Sequence, residues 1–128
     1  MKILVTGGSR GIGLETVKIL ASGGHQVISI SRTSGTNNVL DNENVTGITF
    51  DLSEIDKISY LIEQIGPVDV LINNAGILPG FEYENYPAQK IHEIVRINLE
   101  APVALITGFS KFMKIQGHGR IINNSSIA

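Results

Sequence analysis

The sequence predicts an α/β fold in which a doubly wound parallel β-sheet carries helices on both faces. Three observations point there: short apolar runs such as Ile3-Leu4-Val5, longer segments with helical spacing between them, and Gly, Pro, Asn or Ser clusters at the joins. Alternation of this kind is the signature of βαβ units, because a parallel strand pair needs a crossover long enough to hold a helix. The chain has 128 residues. A chain of that size forms one domain, here 1-128, that buries roughly two thirds of its unfolded surface.

Strand one is expected at Lys2 to Val5 and helix one at Gly11 to Ser22, with Ile12, Val17, Leu20 and Ala21 on one apolar face and Gly23-Gly24 as the stop. Strand two is expected at Gln26 to Ile30. From Ser31 to Asn44 the composition is Ser, Thr, Asn and Gly with little periodicity, which reads as loop rather than as a crossover helix. Strand three is expected at Gly47 to Phe50. Ser53 is positioned to cap a helix from Glu54 to Ile65 that carries Ile55, Ile58, Leu61, Ile62 and Ile65, and Gly66-Pro67 ends it. Strand four is expected at Asp69 to Ile72, followed by a polar, turn-like stretch to Pro87. A long helical pattern begins near Ala88, where Pro102 is expected to bend or divide it. Its positions Leu99, Val103, Ile106, Phe109, Phe112 and Met113 read as a core face. Gly117-His118-Gly119 closes that helix, and Arg120 to Asn123 begins a fifth strand.

Composition excludes several classes of function. Net charge is −2 with dispersed Lys and Arg, so the basic footprint of a nucleic-acid binder is missing. There is no cysteine, which removes disulfides, thiolate catalysis and cysteine metal sites. His25, His92 and His118 are scattered without metal-ligand spacing and read as surface residues. No apolar run approaches the roughly 20 residues of a membrane span, and no secretion signal precedes strand one. A cytoplasmic protein is the expectation.

The segment Thr6-Gly7-Gly8-Ser9-Arg10-Gly11-Ile12-Gly13 stands between a strand and a helix start. A glycine-rich turn in that setting brings backbone N–H groups and the positive helix end to a diphosphate. Gly7, Gly11 and Gly13 suit a tight turn, close ligand approach and close helix-to-strand packing; the competing reading is a loop with surplus glycine. An NTPase-type phosphate loop needs Lys and Ser or Thr after its last glycine, and Ile12-Gly13 follows Gly11 instead.

With these motifs in order, the chain resembles the first half of a short-chain dehydrogenase/reductase. Thr6-Gly7-x-x-x-Gly11-x-Gly13 resembles that family's cofactor turn, with Ser9, Arg10 and Ile12 inside it. Asp51-Leu52 resembles its adenine-side contact and Asn73-Asn74-Ala75-Gly76 its strand-four motif. Asn98 in Ile97-Asn98-Leu99 and Ser126 at the end of Gly119-Arg120-Ile121-Ile122-Asn123-Asn124-Ser125-Ser126 match its catalytic Asn and Ser. The resemblance covers the whole chain. It implies a Rossmann-type fold with strand order 3-2-1-4-5, C-terminally truncated relative to the family, and carbonyl reduction or alcohol oxidation by hydride transfer. Ser126 would position the substrate oxygen, and Asn98 would hold a water in the proton relay. One departure is Asn124, where the family usually has an apolar residue, which sets a polar side chain at the sheet edge or simply at a strand end.

Cofactor choice turns on the residues after strand two, where an acidic side chain would favour NAD. Ser31-Arg32 stands there instead. Arg32 and Arg10 can form charge-assisted bonds to a 2′-phosphate, so NADP is expected over NAD; the competing reading is two solvated arginines. Asp51 is read as an adenine contact or as a charge on a helix N-terminus. Asn73 and Asn74 are read as tying strand four to its neighbours and lining the cofactor cleft; the competing reading is that they only make turns, and both can hold together.

The family's Tyr-x-x-x-Lys pair normally follows the catalytic Ser, beyond Ala128. Tyr86-Pro87-Ala88-Gln89-Lys90 has that spacing but precedes Ser126 and opens the long helix, where Pro87 suits the first turn. The expectation for the polypeptide alone is therefore cofactor binding, with a small carbonyl or alcohol as the substrate class of the complete enzyme. A non-enzymatic dinucleotide sensor and a degenerate fragment without ligand are the alternatives. A fifth strand without its neighbours would leave a bare edge and uncovered apolar surface, and the resemblance implies that the long helix often builds a dimer interface, so a homo-oligomer is expected.

Overall fold

The structure is a computed structural model that describes residues 1–33, 41–78, 80 and 83–125. Five parallel strands form one sheet in the order β3-β2-β1-β4-β5, as the sequence implies. They are β1 (Lys2–Thr6), β2 (Gln26–Ser31), β3 (Val45–Thr49), β4 (Val70–Asn73) and β5 (Arg120–Asn123). The helices are α1 (Gly11–Ser22), α2 (Ile58–Ile65), α3 (Ala88–Val95) and α4 (Ala101–Gln116). Of the expected loop after β2, residues 34–40 lie outside the described residues, as does Ser126.

Side-chain alternation along the central strands builds two cores. Ile3, Val5, Val27 and Val70 face α1 and enclose Val17 and Ala21. Leu4, Ile30 and Leu71 face the other way and meet Ile58, Leu61, Ile62 and Ile65 of α2 and Ala101, Leu105, Phe109 and Met113 of α4. A central strand buried on both faces must be apolar throughout, and in β1 Ile3, Leu4 and Val5 are all within 1% of fully buried.

Four expectations need correction. Ile12 is 71% exposed, so the buried line of α1 is Gly13, Val17 and Ala21. Ser53 does not cap a helix: its backbone N–H donates to Asp51 Oδ1 at 2.9 Å, and a 3₁₀ turn at Ile55–Lys57 leads into α2. The third strand begins two residues earlier than expected because its register against β2 pairs Val45 with Val27. Leu99 and Val103 are 59% and 53% exposed, and Leu105 is buried in their stead. The cause of this last difference is a π-helical stretch at Arg96–Glu100 between α3 and α4. Its wider turn rotates α4 relative to an uninterrupted helix, so the buried line becomes Ala101, Leu105, Phe109, Met113. Pro102, in the first turn of α4, has no N–H to return to the carbonyl four residues back. The expected division of the long helix therefore occurs just before it.

At the N-terminal ends of the strands, Asp69 links three elements. Its Oδ2 accepts from the Lys2 backbone N–H at 2.7 Å, and its Oδ1 lies 2.9 Å from His118 Nε2. The Lys2 bond and the His118 contact hold the Asp69 carboxyl below its ordinary value, and Asp69 raises the His118 imidazole above its own. His118 is thus a surface residue with a partner.

Candidate functional site

At the opposite, C-terminal ends of the strands lies a cleft of about 590 Å³. Crevices of this size at the carboxyl ends of parallel strands, where the chain order reverses, are the usual ligand sites of open α/β sheets. Here the reversal falls between β1, whose chain continues outward to β2, and β4.

The glycine-rich turn forms the floor. Gly7 N–H donates to the Ile30 carbonyl at 2.8 Å, which anchors the turn to β2. Gly7 has φ +69°, a conformation that L side chains rarely adopt, and a Cβ there would stand 2.8 Å from Ala75 Cα. A Cβ at Gly13 would overlap the Gly7 carbonyl oxygen and lie 2.5 Å from Asn74 Nδ2. Helix α1 thus begins in direct backbone contact with the turn. Its N-cap, Arg10, makes no side-chain cap bond. The first-turn N–H groups of α1 have no partner within the helix and open on the cleft at Gly11, Ile12 and Gly13. Around Gly11 a Cβ would meet nothing within 4 Å. A close-packed turn with open space on its outer side fits a diphosphate, which needs backbone donors and no intervening side chain.

Thr6 works from beneath. It is 1% exposed, and its Oγ1 accepts from the backbone N–H groups of Asn74 and Ala75, both at 3.0 Å. The Asn74 side chain completes the link, donating from Nδ2 to the carbonyls of Thr6 at 3.2 Å and Gly7 at 3.3 Å. Asn73 turns to the other side and donates from Nδ2 to Asn123 Oδ1 at 2.9 Å. Its own Oδ1 is buried without a partner among the described residues. Asn73 thus joins β4 to β5, and Asn74 joins the end of β4 to the glycine turn and lines the cleft.

Of the residues singled out in the sequence, Gly7, Ser9, Arg10, Gly11, Ile12, Gly13, Ser31, Arg32, Leu52, Asn74, Ala75 and Gly76 line the cleft. Asp51 does not. Its carboxylate accepts from the Ser53 N–H, and α2 begins only at Ile58. Asn98 holds the wall from outside: Oδ1 accepts from the Ile77 N–H and Nδ2 donates to the Ile77 carbonyl, each at 2.8 Å. Cleft residues to which the sequence assigned no site role include Phe50, Ile77, Ile97 and Asn124. The first three carry no polar signal, whereas Asn124 was visible as the departure from an apolar position.

The two arginines stand together at a second, adjoining hollow of about 300 Å³ shared with Lys90 and Glu93. Arg32 Nη1 lies 4.0 Å from Glu93 Oε1, and Lys90 Nζ lies 3.1 Å from Glu93 Oε2. Tyr86 donates its hydroxyl to the Gly80 carbonyl. Tyr86 and Lys90 are thus each engaged elsewhere rather than with one another. Among the described residues, no group of three or more His, Asp or Glu side chains could hold a metal ion. No helix among them is long and apolar enough to cross a membrane.

Comparison with known proteins agrees with this geometry. The family model for short chain dehydrogenases matches residues 1–128. A ketoacyl reductase from Nostoc sp. is 35% identical over 98% of this chain and 47% of its own length. A 2-dehydro-3-deoxy-D-gluconate 5-dehydrogenase from Bacillus subtilis is 32% identical, with coverages of 97% and 52%. The crystal structure of a metagenomic short-chain oxidoreductase in complex with NADP is 30% identical and superposes with a TM-score of 0.89, covering all of this chain and 63% of that one. The chain spans about half the length of the curated relatives it matches. With the turn, the strand order and the Asn pair in register over its whole length, the chain belongs to the short chain dehydrogenase family.

Proposed function

We propose that residues 1–128 form the single dinucleotide-binding domain of an NADP-preferring oxidoreductase that interconverts carbonyls and alcohols. The observation that carries the reading is the cleft itself: a helix start without a side-chain cap beside glycines, with Arg10 and Arg32 on one flank and, among the described residues, no acidic residue on the cleft wall after β2. A bound nicotinamide cofactor would supply the hydride for carbonyl reduction and, in its oxidised form, accept it in alcohol oxidation. The chain's residues would bind and orient it: the turn would hold the diphosphate, Arg10 and Arg32 the 2′-phosphate, and Ala75 and Gly76 offer a wall free of bulky side chains. The relatives' names, a ketoacyl reductase and a sugar-acid dehydrogenase, support a small carbonyl or alcohol as substrate.

Ser126 is assigned to the substrate oxygen on the family motif. Asn98 serves the proton relay through its backbone carbonyl, since both ends of its side-chain amide are engaged with Ile77 and Pro102 cannot bond that carbonyl. Asp51 is assigned a supporting part, shaping the turn that presents Leu52 to the cleft. A second copy of the chain is the proposed partner of the exposed line Ile91, Val95, Leu99 and Val103.

Titration with NADPH and with NADH, followed by nicotinamide fluorescence, tests the reading. The expected result is tighter NADPH binding, and loss of that preference by about 10- to 100-fold in Arg32→Ala, the weight of one charge-assisted bond. An unchanged ratio removes Arg32 from the site; no binding of either nucleotide overturns the function.

A further inference from the structure

We propose that Asn124 is a positioning residue for the nicotinamide half of the cofactor, acting through Asn74 on the glycine-rich turn; this rests on the dinucleotide reading above. Asn124 is the first residue beyond β5, and its backbone N–H donates to the Asn73 carbonyl at 2.9 Å, which fixes its main chain against the end of β4. Its side-chain Nδ2 donates to Asn74 Oδ1 at 2.8 Å. Asn74 is thereby held at both ends, since its own Nδ2 donates to the Thr6 and Gly7 carbonyls.

That double hold selects one orientation of the Asn74 amide. A flipped amide would set its oxygen against two backbone carbonyls and its NH₂ against the NH₂ of Asn124. An apolar side chain at position 124 has no donor and leaves the outer end of Asn74 to water. The consequence reaches the floor of the cleft, because Asn74 packs where α1 meets the turn: a Cβ on Gly13 would lie 2.5 Å from its Nδ2. Asn124 therefore joins the end of β5 to the Gly7 carbonyl through a single side chain.

The location decides which half of the ligand feels it. Asn124 lines the cleft on the β4–β5 side together with Ala75 and Gly76, whereas Arg32 stands across the sheet after β2. With the 2′-phosphate on the Arg32 side, the nicotinamide half spans the wall that Asn124 supports.

The test is Asn124→Ala in the same chain, with NADPH and adenosine 2′-monophosphate as separate probes and ¹⁵N spectra of the cofactor-free protein. The expected result is NADPH binding weaker by about five- to tenfold, the weight of one neutral hydrogen bond. Binding of the adenosine fragment stays within about twofold of wild type, which also reports that the variant is folded. The Asn74 side-chain NH₂ protons, protected in wild type, exchange faster in the variant. Equal weakening of both probes, or of neither, overturns the proposal. Should the wild-type chain bind neither probe, the function above fails and the positioning role falls with it, whereas a wild-type chain that binds NADPH and a variant that binds it equally well overturn the positioning role alone.

Discussion

Replacing Gly13 by Ala, with Gly11→Ala as its control, separates steric closure from backbone conformation within one turn. At Gly13 the added Cβ would stand 2.8 Å from the Gly7 carbonyl carbon and 2.5 Å from Asn74 Nδ2. Nonbonded carbon atoms rest at about 3.5 to 4.0 Å, so α1 must move by about 1 Å from the turn. Neither neighbour yields easily, because Gly7 is bound to Ile30 and Asn74 to Thr6, Gly7 and Asn124. Overpacking of this kind costs about 1 to 3 kcal/mol, and disturbing the Asn74 bonds adds about 1 kcal/mol. For a domain of this length 1 kcal/mol lowers the midpoint by about 4 °C, so Gly13→Ala is expected to melt about 8 to 16 °C below wild type. At Gly11 the φ of +55° disfavours Ala by about 1 kcal/mol, but nothing lies within 4 Å, and the expected loss is about 4 °C. Thermal melts by circular dichroism read both. If Gly11→Ala is as destabilising as Gly13→Ala, or Gly13→Ala melts with wild type, the helix-to-turn contact does not organise the cleft.

Two further outcomes are expected. The His118–Asp69 pair makes stability depend on pH in a defined window: the raised His118 value gives stability that is full below about pH 6.5 and fades as pH rises through the folded value, whereas the lowered Asp69 value gives stability present above about pH 4 and lost on acidification. Melts at pH 5.5 and 8.5 should therefore show a midpoint drop in wild type that shrinks in His118→Gln; an equal drop in both proteins removes the pair from the pH dependence. Pro102→Ala supplies an N–H to the Asn98 carbonyl and favours continuous α-helix over the π stretch, so the Ile77 amide, bonded to Asn98 Oδ1, should exchange faster with solvent. An Ile77 exchange rate equal to wild type would show that the π stretch does not depend on the proline.

What could be read in advance followed from how local the determinants were. Helix α1 occupies Gly11–Ser22 as expected because a glycine turn opens it and Gly23-Gly24 closes it, both within a few residues. The strands were visible as apolar runs since β1 and β4 are covered on both faces. β3 was offset because it is an edge strand with half-exposed residues, and its register comes from β2 rather than from its own pattern. Leu99 and Val103 read as core because periodicity assumes an unbroken helix, and nothing local announces that a π stretch precedes Pro102. Ser53 caps nothing because the Asp51 carboxylate takes up its N–H in a local turn, and neither the 3₁₀ turn nor α2 has a side-chain cap. At the site, most residues that face the cleft carry motif signals, whereas apolar lining residues such as Phe50 and Ile77 carry none and the partners of Asn98 and Asn124 arise from segments far apart in the chain.

The cleft is therefore less a property of its lining than of three hydrogen-bonded joints between strand ends. Thr6 joins β1 to the backbone after β4, Asn74 joins that backbone to the glycine turn, and Asn124 joins β5 to Asn74. Each is a short polar side chain at a strand's C-terminal end, where the ladder of backbone bonds stops and carbonyls would otherwise face solvent. Because parallel strands end on the same side, the joints fall in one row, and the helix-start donors of α1 open beside it. Asn98 holds Ile77 from a helix in the same manner. Lining residues such as Ile12 can vary in size with only local effect, whereas the joints require a donor or acceptor at a fixed point. Substitutions at Thr6, Asn74 and Asn124 should accordingly alter cofactor binding together and non-additively, as members of one connected network do.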